Sequence, residues 1–412
     1  MQSLNNSRIE NRLVAIAARF TFAAYSAVIL CRQVMTWGQR QWDFKTFYYA
    51  SKAYQAGLSP YDLSSLTKTA GHTISYQYVY PPLSLYLFWP FTTLGYESAH
   101  FTFLAVKCLL LVYLLSLWAR KFLPGAGGPL FLIFSVLAFN RALQVDVWTG
   151  NVSTLEQCLI WTGLCFFLRG KLGWFCAMIC LAASWKLLPA AFLILALFSE
   201  NRRKWVYFGV SAVSIIGVQA LSAMRMPGLF MSFLKNATGL DERGVTNPST
   251  LAFVRDVFDK IGLSGHSTWS AVAYGVILLL VIAVTVTAFG KTRKWGRSDR
   301  QKLLVMLFCV VYALAAPRLK DYSYMLLIPV SYWVISRPVF RRRFWLLFVV
   351  AILPYAFLAR FSWLPELLTG YCSLLLAFLV WGLYLSYAGK PLAGGTRSAD
   401  AGVVSTRETA AT

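Results

Sequence analysis

The chain is poor in charge. Only 13% of its 412 residues are Asp, Glu, Lys or Arg, while 58% are hydrophobic. A soluble domain carries about 25% charged and about 45–50% apolar residues, so this depletion excludes a chain that lives mainly in water. There are three histidines, His72, His100 and His266, and none stands at ligand spacing from another. No Asp-X-Asp pair, P-loop, Rossmann glycine pattern or HExxH occurs. The usual signs of a nucleotide or metal cradle are thus missing, and neither a metal nor a cofactor is expected. The eight cysteines lie within apolar runs and no two form a CxxC pair, which argues against a disulfide or zinc framework. No internal repeat is visible, and polar groups do not gather at the middle of the apolar runs, as a transporter would require.

What is present is a succession of long apolar runs between Leu13 and Tyr387. A spanning helix needs about 20 such residues. Inside lipid every backbone N–H and C=O must be bonded within the segment. A closed barrel would show short alternating segments, whereas these runs are continuously apolar. The expected fold is therefore all-α, a polytopic integral membrane protein of about twelve transmembrane helices. The runs fall at 13–35, 98–119, 129–145, 151–168, 172–185, 188–199, 205–222, 269–290, 303–316, 322–336, 344–360 and 369–388. Residues 1–12 carry no signal-peptide cleavage pattern, so the first run reads as a retained anchor. Residues 1–390 form one expected domain, and 391–412, rich in Gly, Ala, Ser and Thr, a disordered tail.

The net charge of +23 is distributed in short loops between the runs, which suits membrane topology and not nucleic acid. Arg8, Arg12, Arg120, Lys121, Arg169, Lys171, Arg202 to Lys204, the run Lys291 to Lys302, Arg337, Arg341 to Arg343 and Lys390 share one side. By the positive-inside rule that side is cytoplasmic, and both termini fall there. The other side holds two long loops, 36–97 and 223–268, short loops near Asp146, Lys186, Lys320 and Trp363, and most of the acidic residues. Pro82 to Leu94 is apolar but short, and reads as a helix lying on or dipping into the membrane.

Candidate chemistry gathers on that outer side. Phe44, Phe47, Tyr48 and Tyr54 recur at helical spacing before Gly57 and Pro60 stop the helix, which predicts an amphipathic interfacial helix with its rings at headgroup level. Asp43 opens it. Two roles compete there: a helix N-cap and a general base held at the membrane surface. Asp146 reads as a loop acid, a partner of Arg141, or a second acid facing Asp43. Asp321 is a further candidate for a second acid or acceptor contact. Lys186, Arg318 and Lys320 are basic on the side that disfavours basic residues. They read either as snorkelling cations or as a grip on phosphate. Lys107 lies mid-run, with Glu156 as its expected ion-pair partner.

The order of these segments has a counterpart. Asp43, Tyr48-Tyr49-Ala50, Gly57-Leu58-Ser59-Pro60-Tyr61-Asp62, Tyr80-Pro81-Pro82-Leu83, Gly150-Asn151, Lys186-Leu187-Leu188-Pro189 and a late Pro317 segment succeed one another. Taken together they resemble glycosyltransferase family 87, the polyprenol-phosphate-mannose-dependent mannosyltransferases of GT-C architecture. Many members have Gly-Gln where Gly150-Asn151 stands, and Trp or His where Arg318, Lys320 and Asp321 stand. The resemblance implies an inverting transfer of a sugar, mannose, from a polyprenyl-phosphate donor to an extracytoplasmic glycolipid or glycan. It implies a location in the inner (plasma) membrane and a catalytic base at Asp43. Arg318, Lys320 and Lys186 would then hold the donor phosphate. Two rivals stand beside it. A polysaccharide ligase or polymerase using a lipid-pyrophosphate-linked glycan would place catalysis on Arg225, Arg243, Arg255 and His266. A lipid or solute transporter would break no bond.

Overall fold

The computed structural model describes residues 2–124, 128–263, 267–353, 360 and 365–390, with the side chains of 2–12 and 267 left aside. The expected tail, His266, Trp363 and the end of the 344–360 run lie outside the described residues. The described residues contain no strand.

The chain begins with α1 (Gln2–Met35). Three helices then fold from the first long loop: α2 (Trp42–Gln55), α3 (Leu63–Ala70) and α4 (Ser84–Thr92). Next come α5 (Tyr96–Leu117), α6 (Pro129–Thr149), α7 (Ser153–Leu168) and α8 (Leu172–Trp185). A 3-10 segment, Leu188–Phe198, precedes α9 (Lys204–Arg225). The second long loop is also helical in part, with α10 (Pro227–Gly239) and α11 (Thr250–Lys260). The sequence pattern predicts no helix there. Ser249 supplies the start of α11, its side chain accepting the Ala252 N–H. The series closes with α12 (Ser267–Gly290), α13 (Arg297–Ala315), α14 (Ile328–Ile335), α15 (Phe344–Ile352), α16 (Glu366–Gly370) and α17 (Cys372–Ala388).

Among the described residues, five stretches are long and apolar enough to cross a bilayer: Leu13–Met35, Tyr96–Phe122, Pro129–Thr149, Lys204–Arg225 and Thr268–Lys294. Shorter apolar helices, among them α7, α8 and α17, fill out the bundle. The expected run 322–336 is a 3-10 turn, Asp321–Leu327, followed by α14. At nine residues α4 is about 14 Å long, too short to span. Lipid-facing surface is plain on α1, α9 and α12, where Phe20, Val28, Val213, Ile216, Leu279 and Leu280 are exposed. Such faces in water would be costly, and in a bilayer they are not.

Among the described residues two apolar cores result. The larger lies within the bundle. The smaller joins α2 to α4 and the start of α5. There Phe44 stacks on Phe103 (centroids 4.4 Å apart) and Phe47 on Phe88 (4.6 Å). The Tyr48 hydroxyl donates to the Leu94 carbonyl (2.8 Å), and the Ser51 hydroxyl to the Leu85 carbonyl (2.7 Å). The expectation that these rings sit at headgroup level is thereby corrected: Phe44, Phe47 and Tyr48 are buried, because residues 61–94 fold back over them. Helical spacing identified the apolar face, and a protein partner covers it.

One interruption has no sign in the sequence. Within α6, Phe139, Asn140 and Arg141 take left-handed conformations (φ of 50°, 54° and 61°). Each costs about 1–2 kcal/mol for an L-residue. The side chains offset this. The Asn140 amide donates to Asp321 (2.8 Å), whose other oxygen accepts the Ser373 hydroxyl (2.7 Å), and Phe139 stacks on Tyr324.

Candidate active site

The exposed basic turns of the bundle carry Arg202, Arg203 and Arg341 to Arg343. None of them lines the cavity of about 680 Å³ that the two long loops help to enclose, a volume within the range of small-ligand sites. The cavity walls come from α2, the 75–81 segment, the start of α7, the Trp185–Leu188 link, the end of α10 and residues 312–323. Trp185, Leu187, Leu188, Phe233, Ala237 and Leu240 supply apolar lining. The charged lining is balanced: Asp43, Glu156 and Glu242 against Lys186, Arg318 and Lys320.

Asp43 stands in the first turn of α2 and does not cap it. That reading is corrected: Gln41 is the residue before the helix, in a left-handed conformation (φ 52°), its N–H donating to the Trp148 carbonyl at 2.7 Å. The Asp43 carboxylate turns instead to Asn151, whose amide nitrogen donates to it at 2.7 Å and to the Tyr80 hydroxyl at 2.9 Å. The amide orientation is set from its other end. Asn151 Oδ1 accepts from the Ser153 N–H (3.1 Å), the Ser153 hydroxyl (2.9 Å) and Lys186 Nζ (3.3 Å). With the carbonyl pinned by donors, the NH₂ must face Asp43. Burial raises the Asp43 pKa above the ordinary carboxylate value, and the Asn151 hydrogen bond and Lys320 oppose that only in part. A carboxylate with raised pKa and one fixed hydrogen bond is suited to accept a proton.

Gly150 explains how α2 comes so close. It has φ +69°, and a Cβ there would stand 2.7 Å from the Gln41 Cβ and 2.9 Å from the Phe44 Cβ. Only glycine permits both that turn and that approach.

The three predicted cations meet Asp43 in this cavity, but they are not equivalent. Lys186 donates to Glu156 (2.7 Å), the Ser153 hydroxyl (2.7 Å) and Asn151. An ammonium has three donors, so Lys186 is fully used within the protein. Burial works to lower its pKa, but Glu156 and Tyr80 outweigh that and raise it. Arg318 reaches Glu242 Oε2 through Nε (3.0 Å) and Nη2 (2.7 Å), and Lys320 reaches Oε1 at 2.5 Å. Burial would raise Glu242, yet Lys320 and Arg318 hold it below its ordinary value. Arg318 thus spends two of its five N–H donors on Glu242 and Lys320 one of its three, and both residues line the cavity. Asn247 straps the two segments together: it accepts the Leu319 N–H and donates to the Glu242 carbonyl, both at 2.9 Å.

The remaining candidates lie elsewhere. Asp146 is fully buried and pairs with Lys107 (2.7 Å). That corrects two expectations, Glu156 as the partner of Lys107 and Arg141 as the partner of Asp146. Lys107 Nζ also donates to the Asp146 and Asn151 carbonyls, so this pair braces the turn that carries Asn151. Asp146 and Asp321 do not line the cavity. Arg243 is bound by Asp241, Asp256 and Asp259, and Arg255 by Asp241, also away from the cavity. His100 is buried against Trp37. Sequence reasoning does not single out Tyr80 or Glu242 for a role, and it names Asn151 and Glu156 without the roles found for them. The Tyr80-Pro81-Pro82 and Gly150-Asn151 segments are a signal for two of them. Nothing in the sequence marks Glu242 among the acids of the second loop.

A helical membrane protein with a carboxylate and cations facing one cavity fits a group-transfer enzyme. Residues 78–317, more than half of the chain, match the model of glycosyltransferase family 87, and the chain belongs to that family. Comparison with curated proteins gives no match. The protein is a membrane glycosyltransferase.

Proposed function

We propose that the protein moves a sugar, mannose by its family resemblance, from a polyprenyl-phosphate donor to a hydroxyl of a glycolipid or glycan acceptor, with inversion. The observation that carries this reading is the meeting of Asp43 with Arg318 and Lys320 in one cavity whose lining also includes apolar side chains. The isoprenoid lies against Trp185, Leu187, Leu188 and Phe233, and its phosphate against Arg318 and Lys320. The acceptor hydroxyl approaches the anomeric carbon. Its oxygen forms the new bond, its proton goes to Asp43, and the bond from the anomeric carbon to the phosphate oxygen breaks with its electron pair. The lipid leaves as a phosphate monoester with more negative charge than the diester. Arg318 and Lys320 therefore bind the transition state more tightly than the ground state, and only that difference accelerates the step. Lys186 and Asn151 act through Asp43, holding it in place. The basic turns, separate from the cavity, support an extracytoplasmic site in a plasma membrane, with both termini in the cytoplasm.

The test is reconstitution of the purified protein in liposomes with a labelled polyprenyl-phosphate sugar and a glycan acceptor. Transfer with release of polyprenyl phosphate, weakened by Arg318→Ala and Lys320→Ala through a lowered kcat as well as a raised donor KM, is expected. Movement of the lipid across the bilayer without bond cleavage, or transfer only from a pyrophosphate-linked donor, overturns the proposal.

A further inference from the structure

Glu242 is an odd residue to find in a site that is to receive an anion. Its carboxylate sits between Arg318 and Lys320, at 2.5–3.0 Å from both, where a phosphoryl oxygen would make the same contacts. The arrangement is not a sealed structural pair. The Glu242, Arg318 and Lys320 side chains keep 24%, 29% and 26% of their exposure, whereas Lys107 and Asp146 keep 2% and 0%. The backbone beneath Glu242 is held. Its carbonyl accepts from Asn247, and the next residue, Arg243, is bound by three aspartates. The side chain lines the cavity above this anchor.

We propose that Glu242 is the specificity-determining counter-charge of the donor-phosphate site. Its carboxylate competes with the donor's anion for Arg318 and Lys320, and so discriminates against donors that carry a second phosphate. The inference rests on the donor reading above for the nature of the anion. Its physical basis is charge balance. The lining carries three acids and three bases. Added to a neutral site, each further negative charge on the ligand meets the Glu242 carboxylate as repulsion, and that repulsion grows in proportion to ligand charge. Arg318 uses two of its five donors on Glu242 and Lys320 one of its three. The remaining donors suffice for one phosphoryl group beside a displaced carboxylate.

The experiment is binding of a polyprenyl monophosphate and of a polyprenyl pyrophosphate, in detergent micelles at low ionic strength, to the native full-length protein and to Glu242→Gln. The native protein is expected to hold the monophosphate at least as tightly as the pyrophosphate, although the latter carries more charge. In Glu242→Gln the monophosphate is expected to bind about tenfold more tightly, and the pyrophosphate to gain by a larger factor. Weaker binding in the variant, unchanged binding, or an equal gain for both lipids overturns the proposal, because Glu242 would then only align the cations. The native comparison needs no variant: clearly tighter pyrophosphate than monophosphate binding also overturns it. Failure of the donor reading is read separately, from the transfer assay: no transfer from the polyprenyl-phosphate sugar, or transfer only from a pyrophosphate-linked donor, removes this inference with it, whereas normal transfer with the wrong binding pattern overturns this inference alone.

Discussion

Asp43→Asn separates chemistry from architecture. The substitution keeps the shape of the side chain, and its amide oxygen can still accept the Asn151 N–H that now meets Asp43 at 2.7 Å. The network through Ser153 and Lys186 therefore persists. What is lost is the ability to take a proton. General-base catalysis contributes about 10²–10⁴-fold, or about 3–5 kcal/mol on the barrier, so turnover should fall by that factor while lipid-phosphate binding changes little. Stability should move the other way. The folded pKa of Asp43 lies above its unfolded value, chiefly through burial. The folded state then binds the proton more tightly, and the carboxyl's contribution is full below the unfolded pKa and lost as pH rises through the folded one. At neutral pH the ionised carboxylate is a cost that asparagine removes. The variant's Tm should equal or exceed the native value at neutral pH, and this advantage should vanish at strongly acidic pH. Single-turnover transfer in proteoliposomes, with thermal unfolding of the same preparations, measures both. Turnover within about threefold of native in a well-folded variant would refute the base assignment.

Three further outcomes follow from the geometry. Asn151→Ala removes a hydrogen bond that lowers the Asp43 pKa, so the acid limb of the kcat/KM profile should move to higher pH; an unmoved limb would mean that Asp43 does not control it. Gly150→Ala sets a Cβ 2.7 Å from Gln41 and adds left-handed strain, which should cost about 1–3 kcal/mol and displace α2, with activity falling more than stability, as paired activity and denaturation assays would show. Lys107→Met strands Asp146 in the core and should destabilise by about 3–5 kcal/mol, whereas adding Asp146→Leu should restore much of the loss in detergent unfolding; equal loss in the double variant would count against a paired role.

The membrane class and the order of most helices were legible because they rest on composition and periodicity. Asp43, Lys186, Arg318 and Lys320 stood out by lying where a topology of basic turns disfavours charge or opens a helix. What was not legible was pairing. Lys107 and Asp146 are in contact 39 positions apart, whereas Glu156 was the expected partner. Only the fold of α6 against α5 selects between them. The left-handed turn at Phe139 to Arg141 was equally hidden, since none of these residues announces it, and its cause is an aspartate that lies 181 positions from Asn140. The helices of the second long loop escaped because their apolar faces are short and mixed with charge.

The same distinction bears on how the site works. Each cation in the cavity already has a carboxylate, and a pair that is satisfied in the free protein gains less from a ligand than a bare charge would. For Lys186 this is a loss of binding power that yields rigidity: all its donors are spent on Glu156, Ser153 and Asn151, and through Asn151 they fix Asp43. For Arg318 and Lys320 the pairing leaves donors unused, and these supply the preference for the leaving monoester over the diester that catalysis requires. Glu242 opposes the more charged anion more strongly, so it gives up part of that differential in exchange for selectivity between donors.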